Sequence, residues 1–329
     1  MPYAWRAGAS TGSTHMHSLV KYFTYALIVF GATAAAAQPA RPAAPATPST
    51  VEQWREQYET TLRGEYGWLS VAGLTFLPPG VHTVGSLAGN DVTLPAGHAP
   101  LEVGRIVVTE GGTTMHLKPG VHALLNGRPA PARFALQTAR RGASGQPPTP
   151  PDKVRVGRVE FHLHRSGPRL ALRVRDPESP IRIGFEGTRW FPVSEGAKVT
   201  ATLVPFAASR AVAVRNVLGD RESYQAPGRL AFTYAGEPVE VLAFTAGQQR
   251  LQIIFRDATV GRETYGTRFV YAEPQGDGRY VIDFNKAYNP PCAYNPYTTC
   301  PTPPTENVLA VAIRAGEKIY DGPTMTASR

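Results

Sequence analysis

The chain has 329 residues, with 34 Lys+Arg against 25 Asp+Glu and a formal charge of +9. Its 32 Gly and 31 Pro exclude a helical bundle or coiled coil, because both residues break helices. A hydrophobic content of 42% excludes a fully disordered chain, and two cysteines exclude a disulfide scaffold. Only six of the basic residues are Lys; the remaining 28 are Arg, dispersed along the chain. Nucleic-acid proteins gather their basic groups into a patch or stripe. Here the longest run is Arg140-Arg141, so no nucleic-acid partner is expected.

Residues 22–37, YFTYALIVFGATAAAA, are apolar, follow Lys21 and end in Ala35-Ala36-Ala37. A positive start, a short apolar stretch and a small-x-small site make a signal peptide. Residues 1–37 are therefore read as a signal peptide whose start is Met16. The expected location is periplasmic or secreted, with no membrane span in the mature chain. Residues 38–50 form a Pro/Ala linker.

Ser49 and Glu52 have the spacing of a capping box. Val51, Trp54, Tyr58 and Leu62 recur at helical spacing before Gly64, which predicts one amphipathic helix over 51–63 covering a sheet edge or end. The rest alternates as strands. GWLSVAGLTFL, VHTVGS, DVTLP, LEVGRIVVTE, TTMHLK and VHALLNG are separated by turn residues. A Gly/Pro-rich linker at 140–152 is expected to divide a helix-plus-β subdomain at 51–139 from a C-terminal β subdomain at 153–329. The second half runs through RVEFHLHRS, RLALRVRD, KVTATLVPF, RLAFTYAG, PVEVLAFTAG, RLQIIFRD, TYGTRFVYAE and RYVIDF to a last strand candidate, NVLAVAIRAG. No βαβ alternation occurs. The fold class is all-β, with two subdomains of sandwich or barrel type and one N-terminal helix.

Between Gly80 and Asn126 the order G-V-H-T-V-G-S, G-N-D-V-T-L-P and L-L-N-G resembles the forkhead-associated sandwich. Ser86 stands where that family has its Arg, and His98-Ala99-Pro100 replaces its Ser-Arg-x-His region. The resemblance implies a sandwich and no phosphopeptide site.

The common catalytic and nucleotide-binding motifs are absent from the sequence. Glu160, His162 and His164 alternate along one strand and share a face, a set that can hold Zn²⁺. Arg173 and Arg175 occupy the polar face of the next strand and would oppose a cation. No metal and no cofactor is therefore expected.

The segment at 285–305, within DFNKAYNPPCAYNPYTTCPTPPTEN, is too rich in Pro for a strand and reads as a long ordered loop, often a functional element. Arg268, Asp283, Asn285, Tyr288, Asn289 and Asn307 are the candidate ligand-binding residues, with a small polar ligand, a saccharide or carboxylate, as partner. Arg268 is expected to bind a carboxylate or to pair with Asp283. An alternative is a hydrolase or lyase with Asp283 as base, Arg268 as anion stabiliser and Tyr288 as an acid or positioning group. A third reading is an envelope structural or interaction module. Cys292 and Cys300, with seven residues between them, are expected to form a disulfide in an exported protein; free thiols and metal ligation are the alternatives. Oligomeric state is not legible.

W-L-S-V-A-G-L at 68–74, T-Y-G-T-R-F at 264–269, D-F-N-K-A-Y-N-P-P-C-A-Y at 283–294, C-P-x-P-P-x-E-N at 300–307 and A-G-E-K at 315–318 resemble the bacterial and archaeal family called domain of unknown function 1684. The resemblance spans 54–320 and implies no established activity.

Overall fold

A computed structural model describes residues 50–140 and 149–323. The segment expected to be a signal peptide, most of the expected Pro/Ala linker, including Ser49, and residues 141–148 of the expected 140–152 linker lie outside the described residues.

Helix α1 (Val51–Leu62) begins on Thr50, whose hydroxyl accepts from the Gln53 amide while the Gln53 side chain accepts from the Thr50 amide. The capping box is thus Thr50/Gln53, one residue beyond the Ser49/Glu52 spacing. Instead of covering a strand edge, α1 is tied to the segment after the last strand. Arg55 Nη2 donates to the Asn285 carbonyl at 3.1 Å, and the Tyr58 hydroxyl donates to the Asn289 carbonyl at 2.9 Å.

Eleven strands then build a sandwich: β1 (Val71–Phe76), β2 (Gly80–Gly85), β3 (Val92–Thr93), β4 (Gly104–Thr109), β5 (Gly112–Leu117), β6 (Leu124–Leu125), β7 (Arg128–Pro129), β8 (Arg133–Leu136), β9 (Val154–Val156), β10 (Val159–Ser166) and β11 (Arg169–Arg175). One sheet has the order β1-β11-β10-β9-β6-β7 and the other β3-β2-β4-β5-β8. Their facing sides bury Val84, Ile106, Met115 and Phe134 from one sheet against Phe161, Leu163, Leu172 and Val174 from the other.

This corrects the expected subdomain boundary. Strands β9 to β11 lie beyond the 140–152 linker, yet β11 pairs with β1 and all three close the first core. Arg140 and Thr149, which flank the undescribed part of the linker, bridge to each other. The physical reason is burial: the apolar face of β10 and β11 needs a partner layer, and the sheet around Ile106 supplies it.

A short helix α2 (Pro180–Ile183), absent from the sequence reading, leads to a closed six-stranded barrel. Its strands are β12 (Lys198–Arg215), β13 (Arg221–Tyr234), β14 (Glu237–Thr245), β15 (Leu251–Phe255), β16 (Arg268–Gly276) and β17 (Arg279–Asp283). β12 pairs with both β13 and β17, which closes the barrel and removes open edges. Leu230, Phe232, Val241, Ile253, Phe255, Val270 and Ile282 fill it.

The last strand candidate, NVLAVAIRAG, is not a strand. It makes one bridge, Val308 to Arg256, and packs Leu309, Ile313 and Ala315 into the barrel core. Its burial does alternate, with Leu309, Ile313 and Ala315 buried and Val308, Ala310, Ala312 and Arg314 exposed, so the period-2 pattern is real but the segment lacks the paired ladder of a strand. Among the described residues no helix is long and apolar enough to cross a membrane.

Candidate functional site

Five of the six candidate ligand residues, all but Tyr288, are fastened to backbone through their side chains. Arg268 is 0% exposed; its Nη1 donates to the Ala315 carbonyl at 2.6 Å and its Nη2 to the Ile313 carbonyl and Asp257 Oδ2, both at 3.0 Å. The expected Arg268–Asp283 pair is replaced by a buried Arg268–Asp257 pair. Asn307 accepts from the Leu242 amide and donates to the carbonyls of Leu242 and Ile254, so it pins the loop to β14 and β15. Asn285 accepts from the Ser194 amide and donates to its carbonyl. Asn289 donates to the Lys318 carbonyl at 2.8 Å.

Asp283 accepts from the Asn285 amide and side chain. Tyr288 sits among Trp54, Tyr58, Phe269 and Tyr271, and burial holds its phenol well above the ordinary range. The proposed trio Asp283, Arg268 and Tyr288 therefore belongs to three separate contact sets. Sequence reading missed the buried group beside them. Glu317 is 1% exposed, accepts from the Asn289 amide at 2.8 Å and from the Tyr294 hydroxyl, and burial pushes its carboxyl up to about 8. The A-G-E-K run at 315–318 was its only signal. Gly316 holds it in place at φ +81, where an added Cβ would lie 2.5 Å from the Ala287 carbonyl oxygen.

The loop's chemistry lies elsewhere, where it crosses the outer face of β10 and β11. Cys292 and Cys300 are bridged, with Cα atoms 6.1 Å apart. Asn295 donates to the Val71 carbonyl at 2.7 Å, and this presses the loop onto the start of β1. Thr299 Oγ1 then stands 2.8 Å from His164 Nε2 and 3.3 Å from Arg173 Nη2. The expected alternation of β10 places Glu160, His162 and His164 on this face, while register sets His162 opposite Arg173 and Glu160 opposite Arg175.

The electrostatics oppose a metal cation. Burial, then Arg175 and Arg173, lower His162 to about 3; burial and Arg173 lower His164 to about 3. Both imidazoles are neutral at pH 7. Glu160 lies 3.4 Å from Arg155 Nη2 and 3.6 Å from Lys153 Nζ. Among the described residues no group of His, Cys, Asp and Glu is arranged to hold a metal ion.

Arg173 is the unusual member. It is 4% exposed, and among the described residues no carboxylate lies within ion-pair distance of it. Burial, reinforced by Arg175, pushes it down to about 10, so it remains charged at neutral pH; Glu222 opposes that shift from a distance. Its Nε has no hydrogen-bond partner, nor has Nδ1 of His162. Both Arg173 and Arg175 lie over the ring of Trp68, 5.4 and 5.2 Å from its centroid, and Trp68 is 37% exposed. Arg175 is engaged by the carbonyls of Tyr66 and Gly67, whereas the buried Nε of Arg173 is without a partner.

Fold and site together define an all-β protein whose sandwich and closed barrel are joined beneath a disulfide-closed loop carrying a buried cationic cluster. The chain belongs to the family described as "Protein of unknown function (DUF1684)", whose profile matches residues 183–318. The match covers the barrel and the loop; W-L-S-V-A-G-L at 68–74 lies outside it, so it is shorter than the 54–320 resemblance. The chain is also similar to an uncharacterized protein of Haloarcula marismortui solved by solution NMR, at 32% identity over 43% of this chain and 80% of that one, with a TM-score of 0.36. No curated protein matches.

Proposed function

We propose that this is an exported binding protein for a small acidic saccharide or similar ring-bearing carboxylate, held where Thr299 meets β10 and β11. The observation that carries the reading is Arg173: a charged guanidinium, 4% exposed, without an ion pair and with an unused donor. Leaving a buried cation unpaired is costly, and a ligand carboxylate relieves that cost with charge-assisted hydrogen bonds. Trp68 offers an apolar ring face beside the cation, suited to the ring of a sugar. His164 and Thr299 supply neutral hydrogen-bonding groups that orient hydroxyls. The Cys292–Cys300 bridge and the apolar segment at 22–37 support an oxidising compartment outside the cytoplasm.

The reading keeps the ligand class drawn from the sequence and moves it from Arg268, Asp283 and the Asn side chains to Arg173, Trp68 and Thr299. Titration of D-glucuronate followed by tryptophan fluorescence tests it. Saturable quenching is expected in the native protein and its loss in Trp68→Phe. Equal quenching in both would remove Trp68 from the site.

A further inference from the structure

The outer face of the other sheet carries a second cationic feature, remote in the fold from Trp68. Register places Thr83 of β2, Arg105 of β4, His116 of β5 and Arg133 of β8 in one cross-strand row. Their neighbours in sequence, Ile106, Met115 and Phe134, point into the sandwich core, so the row faces outward. Adjacent strands are about 4.8 Å apart, which puts the two Arg positions about 10 Å from each other.

Like charges directly opposite one another destabilise a sheet. Apart from the strand ladders, no side-chain hydrogen bond or ion pair joins Arg105, His116 or Arg133 to a described residue. Desolvation, then Arg133 and Arg105, lower the His116 imidazole. The nearby acids are committed elsewhere: Asp91 accepts from the Thr83 amide and hydroxyl at 2.8 and 2.9 Å, and Glu102 pairs with Lys118. The row lines a groove of about 590 Å³, rimmed by Asn90, Lys118 and Pro119. Other exposed Arg residues are paired, Arg169 with Asp220 and Arg314 with Glu263 among them.

We infer that this row binds a short chain of phosphate groups, with Arg105 and Arg133 gripping separate phosphates and His116 between them. Guanidinium forks match phosphate oxygens in pairs, and two forks about 10 Å apart at the backbone converge on a chain longer than one phosphate. The inference is independent of the glucuronate reading.

The test is calorimetric titration of inorganic tripolyphosphate, with orthophosphate at matched ionic strength for comparison. Both Arg side chains are exposed, so Arg105→Gln and Arg133→Gln leave the fold intact. Tripolyphosphate is expected to bind at least about tenfold more tightly than orthophosphate, and each substitution to weaken it about tenfold, the effect of one charge-assisted hydrogen bond. Arg173→Gln should bind it like the native protein. Equal affinity for the two anions, native affinity in both Arg variants, or loss of binding in Arg173→Gln would each overturn the inference.

Discussion

Thr299 Oγ1 lies 2.8 Å from His164 Nε2, and through this contact the disulfide-closed loop is fixed to the sandwich. A second clasp lies close by in the chain: Arg169 and Ser166 of the β10–β11 turn both donate to Asp220 of the β12–β13 turn. The loop is thus a strap between sandwich and barrel, and its polar side chains divide into those that hold the strap down and those that face Arg173.

The two histidines under the strap make stability depend on acid. Unfolded histidines titrate near 6.5, whereas His162 and His164 titrate at about 3 in the folded protein. Between these values the unfolded chain holds more protons, so stability falls as the pH drops from 6.5 toward 3. The limit is about 1.4 kcal/mol per pH unit for each histidine. Urea unfolding of a His162→Gln/His164→Gln variant should show a flatter dependence over this window; an unchanged slope would mean that the imidazoles are already protonated.

Glu317 acts in the opposite direction. Its folded value of about 8 exceeds the ordinary carboxylate value of 4.5, so the folded protein keeps a proton that the unfolded chain has lost. Stability from this group falls as pH rises from 4.5 through 8. Glu317→Gln should match the native protein near pH 4.5 and exceed its stability at pH 8. A variant less stable than the native protein at pH 8 would show that the charged carboxylate is favoured by Asn289 and Tyr294.

Arg268 and Asp257 form a buried ion pair at 3.0 Å, with side chains 0% and 1% exposed. Removing one partner of such a pair costs about 3–5 kcal/mol. Arg268→Met should therefore lower the unfolding midpoint sharply while glucuronate affinity at temperatures where it remains folded stays native. Loss of affinity in the folded variant would return Arg268 to the ligand site.

What the sequence disclosed depends on how local the signal was. The alternation of β10 announced that Glu160, His162 and His164 share a face, and Arg173 and Arg175 fell beside them by register. Asp257, two residues beyond the Phe255 that pairs with Arg268 on the adjacent strand, was passed over because Asp283 lay closer to the expected loop site. The run after Asn307 looked like a strand because it is buried on alternate residues, as a strand is, but it makes a single bridge instead of a ladder. The arrival of Thr299 over β10 and β11 is a tertiary event with no periodicity. The density of Asn in the loop suggested ligand contacts, but Asn285 and Asn307 satisfy backbone groups instead.

The Cys292–Cys300 bridge should support both stability and the site. The chain-entropy relation gives about 2.5 kcal/mol for so short a loop, lowered by the prolines that already restrict it. A Cys292→Ser/Cys300→Ser variant should unfold earlier and bind glucuronate more weakly, because Thr299 is no longer held over Arg173. Native affinity in that variant would show that Asn295 and the prolines fix the strap without the bridge.

On the proposed function, Arg173 is a buried charge kept for a ligand at the expense of stability. Thermal unfolding of the native protein and Arg173→Gln, each with and without D-glucuronate, tests this directly. Without ligand the variant should melt at or above the native temperature, because an unpaired buried charge has been removed. Glucuronate should then raise the midpoint of the native protein alone, as binding to the folded state requires. A variant that melts lower than the native protein, with glucuronate shifting both or neither, would contradict the account and make Arg173 a structural residue.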